Sequence, residues 1–116
     1  MRYTKSLKGS VNFKRVLKQG KYVSGNIISV YTRETALKKN ENYLGICVSK
    51  KHGNSVTRNK LKRWVREAYY SFEENLKKGY SIIVLYKKNI DIQNVTYFDL
   101  KEEIKDLFVK NGIFYV

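Results

Sequence analysis

Residues 49–67 read SKKHGNSVTRNKLKRWVRE, with seven Lys or Arg and no acidic residue until Glu67. Gly53 and Asn54 break the chain after Lys50 and Lys51. From Ser55 to about Leu76 the residues Leu61, Trp64, Val65, Ala68, Tyr69 and Phe72 recur at offsets of three and four, which predicts the longest helix, with that stripe facing a core. At about 100° per residue, Asn59, Lys62, Arg63 and Arg66 fall on the opposite half, Lys60 on one shoulder and Arg58 near the edge of the stripe. One helix therefore presents a basic outer face, entered through a Gly-Asn turn whose free N–H groups favour anions.

Working outward, Tyr43 to Ser49 (YLGICVS) and Asn26 to Arg33 (NIISVYTR) are strands by their β-branched content and alternation, joined by a turn near Lys38 to Asn42. The first places Leu44, Ile46 and Val48 on one face and Gly45 and Cys47 on the other. In the second, Ile28, Val30 and Thr32 alternate with Ile27, Ser29 and Tyr31. Before them, Ser10 reads as the N-cap of a short helix carrying Val11, Phe13, Val16 and Leu17 and ending at Gly20. After the long helix, Tyr80 to Tyr86 (YSIIVLY) is apolar nearly throughout, as a strand buried on both faces would be. Thr96, with Asp99 three residues on, opens a last helix through Leu100, Ile104, Leu107 and Phe108 to about Gly112. One more short strand ahead of the long helix gives the order α-β-β-β-α-β-α: an α+β fold with about four strands packed against two to three helices.

The chain has 116 residues, one Cys, one His, no Pro and a formal charge of +14. That is enough for one domain, taken as 1–116, and no repeat or linker divides it. Cys47 alone forms no internal disulfide, and His52 alone makes no structural zinc site, which takes about four ligands. No run of about 18 apolar residues suggests a membrane span, and the basic amino-terminal segment leads straight into patterned sequence, so a cytoplasmic protein without a membrane partner is expected. The charge is uneven. Met1 to Arg66 holds 17 basic residues against Glu34 and Glu41, whereas Glu67 to Val116 holds seven basic and eight acidic ones. Such one-sided charge points to a polyanionic partner whose phosphates displace counterions. Arg58, Arg63 and Arg66 offer planar forks suited to phosphate, which a solvating Lys run does less well.

The segment also resembles the signature of the protein subunit of bacterial ribonuclease P, a pattern K-K-x-G-N-x-V-x-R-N-x-x-K-R-x-x-R-E around an Arg-Asn-Arg core. Lys50, Lys51, Gly53, Asn54, Val56, Arg58, Asn59, Lys62, Arg63, Arg66 and Glu67 match it, and Lys60 replaces the second Arg of the core. The likeness runs from about Leu7 to Phe108. Phe13, Val16 and Gly20 stand as in the family's first helix, with Leu17 in place of a second aromatic; Tyr31-Thr32 and Ser49-Lys50-Lys51 match its strand ends. The resemblance implies an α/β sandwich with a left-handed βαβ crossover through the motif helix. It further implies that this helix and its loop (Lys50, Lys51, Asn54, Arg58, Asn59, Lys60, Lys62, Arg63, Arg66) bind a catalytic RNA as a monomer in a 1:1 complex. A cleft beside the first helix would take the single-stranded 5′ leader of precursor tRNA, with Phe13 and Tyr31 as stacking groups, Leu17 as an apolar wall and Lys14, Arg15 and Lys18 at the rim. Strand period from Val84 adds Tyr86 to that cleft.

No constellation for catalysis by the protein itself is present. The basic half has only Glu34 and Glu41 as carboxylates, His52 has no acid partner, and Cys47 has no His beside it in sequence. Neither a catalytic residue nor a metal ligand is assigned. The expectation is an accessory subunit of an endoribonuclease, with no cofactor of its own and Mg2+ belonging to the holoenzyme with RNA. The alternative is a ribosomal or general RNA-binding protein, which would need no aromatic cleft.

Overall fold

The apolar run at 80–86 forms the strand around which the sheet is built. The computed structural model describes residues 3–35 and 40–115. In chain order it contains β1 (Thr4–Ser6), α1 (Ser10–Gln19), β2 (Lys21–Ser24), β3 (Ile28–Glu34), β4 (Asn42–Cys47), α2 (Ser55–Phe72), β5 (Tyr80–Tyr86) and α3 (Tyr97–Asn111). Single 3-10 turns occupy Lys50–His52, Glu73–Asn75 and Ile92–Asn94. The strands lie in the order β1-β4-β5-β3-β2. β1, β4 and β5 pair parallel, β3 pairs antiparallel with β5, and β2 pairs antiparallel with β3.

Alternation sorts the strands' side chains between two faces. Ile28, Val30, Leu44, Ile82, Val84 and Tyr86 meet Leu61, Val65, Ala68 and Tyr69 of α2 and Leu100, Ile104, Leu107 and Phe108 of α3 in the main core. The opposite face carries a smaller cluster of Leu7, Val16 and Ile83, flanked by Phe13, Tyr31, Tyr43 and Cys47, under α1 alone. Each large side chain taken fully out of water contributes about 1.5–3 kcal/mol, so the α2/α3 face holds the fold together and the α1 face can stay partly open. No helix among the described residues is long and apolar enough to cross a membrane.

The sheet has five strands, not about four. The additional one is β1, whose sequence TKS has no apolar run. It is held instead by polar contacts: the Thr4 and Tyr69 hydroxyls are 2.7 Å apart, and the Asn42 N–H donates to the Tyr3 carbonyl at 2.7 Å. The Asn42 side chain extends this network, its Nδ2 donating to the Lys77 carbonyl and its Oδ1 accepting from the Tyr80 N–H, both at 3.0 Å. The short extra strand is β2, which precedes the 28–34 strand. Ser10 is the first helical residue rather than the cap; Gly9 holds the cap position at φ 89°. The long helix stops at Phe72 and continues as a 3-10 turn, not to Leu76. For α3 the boundaries follow the sequence, with Thr96 Oγ1 accepting from the Asp99 N–H at 3.1 Å and Gly112 ending the helix in the left-handed region. The turn expected near Lys38 to Asn42 falls partly outside the described residues.

Candidate nucleic-acid interface

The entry to α2 is fixed by three small groups. Ser49 Oγ accepts from the Lys51 N–H at 3.2 Å, closing the turn that holds Lys50 and Lys51 in solvent. Gly53 then adopts φ 132°, a conformation L side chains rarely take. Asn54 Oδ1 caps the helix by accepting from the Thr57 N–H at 3.0 Å. Along α2, Asn59, Lys60, Arg63 and Arg66 are exposed, while Arg58 and Lys62 are half-buried on its flanks. The Lys60 ammonium lies 4.9 Å from the centre of the Trp64 ring, which in turn meets Tyr97 edge-on at 6.2 Å. Trp64 thus sits at the rim of the core, not inside it. Arg63 and Glu67 form an exposed pair at 3.8 Å, too solvated to hold the guanidinium firmly.

On the other face, the Phe13 ring covers Gly45, where any Cβ would stand 2.5 Å from its Cζ. Val16 is buried beside it, Leu17 is 42% exposed, and Lys14, Arg15 and Lys18 point into solvent. Strand register lays Gly45, Ile83, Tyr31 and Tyr22 in one row across four strands. Tyr31 is half-buried in this row, with one neighbour that sequence reasoning missed. Tyr22 is 52% exposed, its ring centre 4.9 Å from that of Tyr31. Hydrogen bonds with Ser24 and Ser29, aided by the Lys87 charge, draw the Tyr22 hydroxyl below the usual tyrosine range. The segment KYVS is too short to declare itself a strand, though a hairpin through 25–27 sets Tyr22 opposite Tyr31.

Tyr86 does not belong to this face. It pairs with Ile28, three positions from the Tyr31–Ile83 pair, so it points into the α2 side, where it is 1% exposed and donates from its hydroxyl to the Leu61 carbonyl at 2.8 Å. Burial pushes its hydroxyl well above the usual range. Strand period correctly links Tyr86 to Val84, but both lie on the wrong side of the sheet for the cleft.

Phe13 of one expected site and Lys62 and Arg66 of the other meet at the free edge of β4, whereas Leu17 and Tyr31 do not line the recess there. Beyond Leu44, β1 no longer covers that strand, and a recess opens lined by Leu7, Phe13, Gly45, Ile46, Lys62 and Arg66. A second recess continues past it over Cys47, Leu85 and the buried edge of Tyr86, bordered by Lys62, Lys87 and Lys88. Lys62 is common to both. Aromatic and apolar walls with ammonium and guanidinium groups at the border suit an unpaired, negatively charged strand. The same lining does not suit a divalent cation such as Mg2+, which takes oxygen ligands, because neither recess is lined by a carboxylate. Among the described residues no three His, Cys, Asp or Glu gather as a metal site. Glu41 is engaged by Lys5 at 3.4 Å. His52 is buried, edge-on to Tyr86 at 6.4 Å, with no hydrogen bond at Nε2, and burial raises the Cys47 thiol despite nearby Lys62.

The family model for ribonuclease P matches residues 1–112. The ribonuclease P protein component of Clostridium acetobutylicum is 34% identical over 107 residues, spanning 92% of this chain and 88% of that one. That of Dictyoglomus turgidum is 36% identical over 108 residues, spanning 92% and 88%. Among solved structures, the Staphylococcus aureus RNase P protein superposes with a TM-score of 0.84 at 28% identity over 97% of each chain. The Thermotoga maritima RNase P protein gives 0.80 at 29% identity over 91% of this chain and 96% of that one.

Proposed function

The chain belongs to the ribonuclease P protein family and is a protein component of that tRNA-processing endoribonuclease, and we propose that it works by holding the catalytic RNA and the 5′ leader of precursor tRNA side by side. The observation that carries this reading is the shared recess at β4, where Phe13 from α1 and Lys62 and Arg66 from α2 line one space. The exposed face of α2, with Lys50, Lys51 and Asn54 ahead of it, docks on the RNA subunit in a 1:1 complex. The leader runs from that edge across the α1 face, past Phe13 and Leu17 to Tyr31. Hydrolysis belongs to the RNA with its bound magnesium, in the cytoplasm, and the protein contributes affinity and screening of phosphate repulsion. A net charge of +14, crowded into the half of the chain that forms these surfaces, supports this division of labour.

The test is binding to the assembled holoenzyme. Phe13→Ala and Tyr31→Ala are each expected to weaken precursor tRNA by about 1–3 kcal/mol while leaving mature tRNA unchanged. Equal losses for both RNAs, or none, contradict a leader groove.

A further inference from the structure

The helix wall of the groove offers a single ring. Phe13 is half-buried against Gly45, and Leu17, one turn further along α1, has no π face. The sheet floor is richer. Tyr31 and Tyr22 stand opposite each other in the β2–β3 register, ring centres 4.9 Å apart and planes 47° apart. Tyr22 is on the last strand of the sheet and more than half exposed, so its outer surface has no covering layer. Its hydroxyl is tethered to Ser29 at 3.3 Å, and Ser29 to Ser24 at 3.3 Å, which restrains the ring without covering it. Lys87 supplies positive charge close enough to act on the Tyr22 hydroxyl.

We infer that Tyr22 is a further leader-binding residue, the outer half of a two-tyrosine platform that takes an unpaired base beyond the one held at Phe13 and Tyr31. This rests on the leader-groove reading above. A tilted pair whose second ring is exposed and hydroxyl-anchored presents a fixed aromatic surface at small entropic cost, which is what sequence-tolerant stacking needs. The row from Gly45 to Tyr22 crosses four strands, at about 4.8 Å per strand, so its far end is some 14 Å from β4. A one-nucleotide leader entering at the β4 edge does not reach that far. Tyr22 therefore matters only for longer leaders.

The experiment measures the affinity of the holoenzyme, assembled from this protein and a bacterial ribonuclease P RNA, for precursor tRNAs with leaders of one to ten nucleotides. Tyr22→Ala is expected to match the parent on the shortest leaders and to bind the long ones about tenfold more weakly, with Tyr22→Phe, which keeps the ring but loses the tether, recovering most of the long-leader affinity. A Tyr22→Ala protein equal to the parent at every length overturns the inference. So does an equal loss on every leader and on mature tRNA, which would mark a role in folding or RNA-subunit docking. Phe13→Ala and Tyr31→Ala, run in parallel, separate the two readings: length-dependent losses there with none at Tyr22 sink the platform alone, and none at any of the three sinks the groove.

Discussion

Replacing Gly45 by Ala is the sharpest probe of how the proposed leader groove is built. The new Cβ would lie 2.5 Å from Phe13 Cζ and 2.9 Å from Cε1, against ordinary contact at 3.4 Å or more, so the ring must retreat by about 1 Å. Backing away means lifting Phe13 off β4 and into the groove, because Gly45 is buried in the sheet and cannot yield as easily. Overpacking of this size costs about 1–3 kcal/mol, and the incomplete burial of the ring places the value in the lower part of that range. Urea unfolding followed by the fluorescence of Trp64, the only tryptophan, measures it. The partner experiment is Phe13→Ala: the three atoms nearest the added methyl all belong to the Phe13 ring, so with the ring gone the Gly45→Ala/Phe13→Ala double variant should be no less stable than Phe13→Ala alone. A Gly45→Ala protein as stable as the parent, or a double variant showing the sum of both losses, refutes the packing of Phe13 on β4. Displacement of the ring should also weaken long-leader precursor tRNA relative to mature tRNA.

Glu103 of α3 accepts from the N–H groups of Asn26, Ile27 and Ile28 at 2.7, 2.8 and 2.8 Å, clamping the β2–β3 turn, so Glu103→Gln should destabilise the fold by about 1.5–3 kcal/mol. An unchanged urea midpoint would show that the clamp contributes nothing. Arg63→Ala and Arg66→Ala should each lower the slope of log affinity for the RNA subunit against log salt by about 0.7–0.9 for every phosphate left unneutralised; an unaltered slope denies that either guanidinium meets a phosphate. Burial pushes the Tyr69 hydroxyl up to about 12, above its unfolded value of 10. Its contribution is complete below pH 10 and lost between pH 10 and 12, at about 1.4 kcal/mol per pH unit, with Tyr86 acting in the same direction. A flat stability across that window is the opposing result.

What the sequence makes legible depends on how local the cause is. Strand β5 shows its boundaries because seven consecutive residues carry its burial, and α3 because Thr96, Asp99 and Gly112 act within a turn of its ends. Strand β1 is hidden because its attachment is through Thr4 to Tyr69, 65 residues away, with no apolar pattern of its own. The same holds for the groove. Period places Val84 and Tyr86 on one face but does not say which face α1 covers; only the register of β5 on β3 assigns Ile83 to Tyr31 and turns Tyr86 toward α2. Tyr22 escapes for the opposite reason, since its pairing with the Tyr31 ring arises from the register of the neighbouring strand. The basic face of α2 is readable because helical period alone puts Asn59, Arg63 and Arg66 outward and Arg58 near the edge of the apolar stripe, whereas the half-burial of Lys62, which period places on the outer half, depends on neighbours from other elements.

In the proposed function, the central role of the protein is to enable an RNA catalyst to process precursor tRNA. The most direct measurement is the rate of 5′ cleavage of precursor tRNA by a bacterial ribonuclease P RNA, with and without this protein, at moderate salt and near-physiological magnesium. The expected result is no cleavage by the protein alone and a higher rate with RNA and protein together than with RNA alone. Cleavage without the RNA, or an RNA rate unchanged by the protein, would contradict that role.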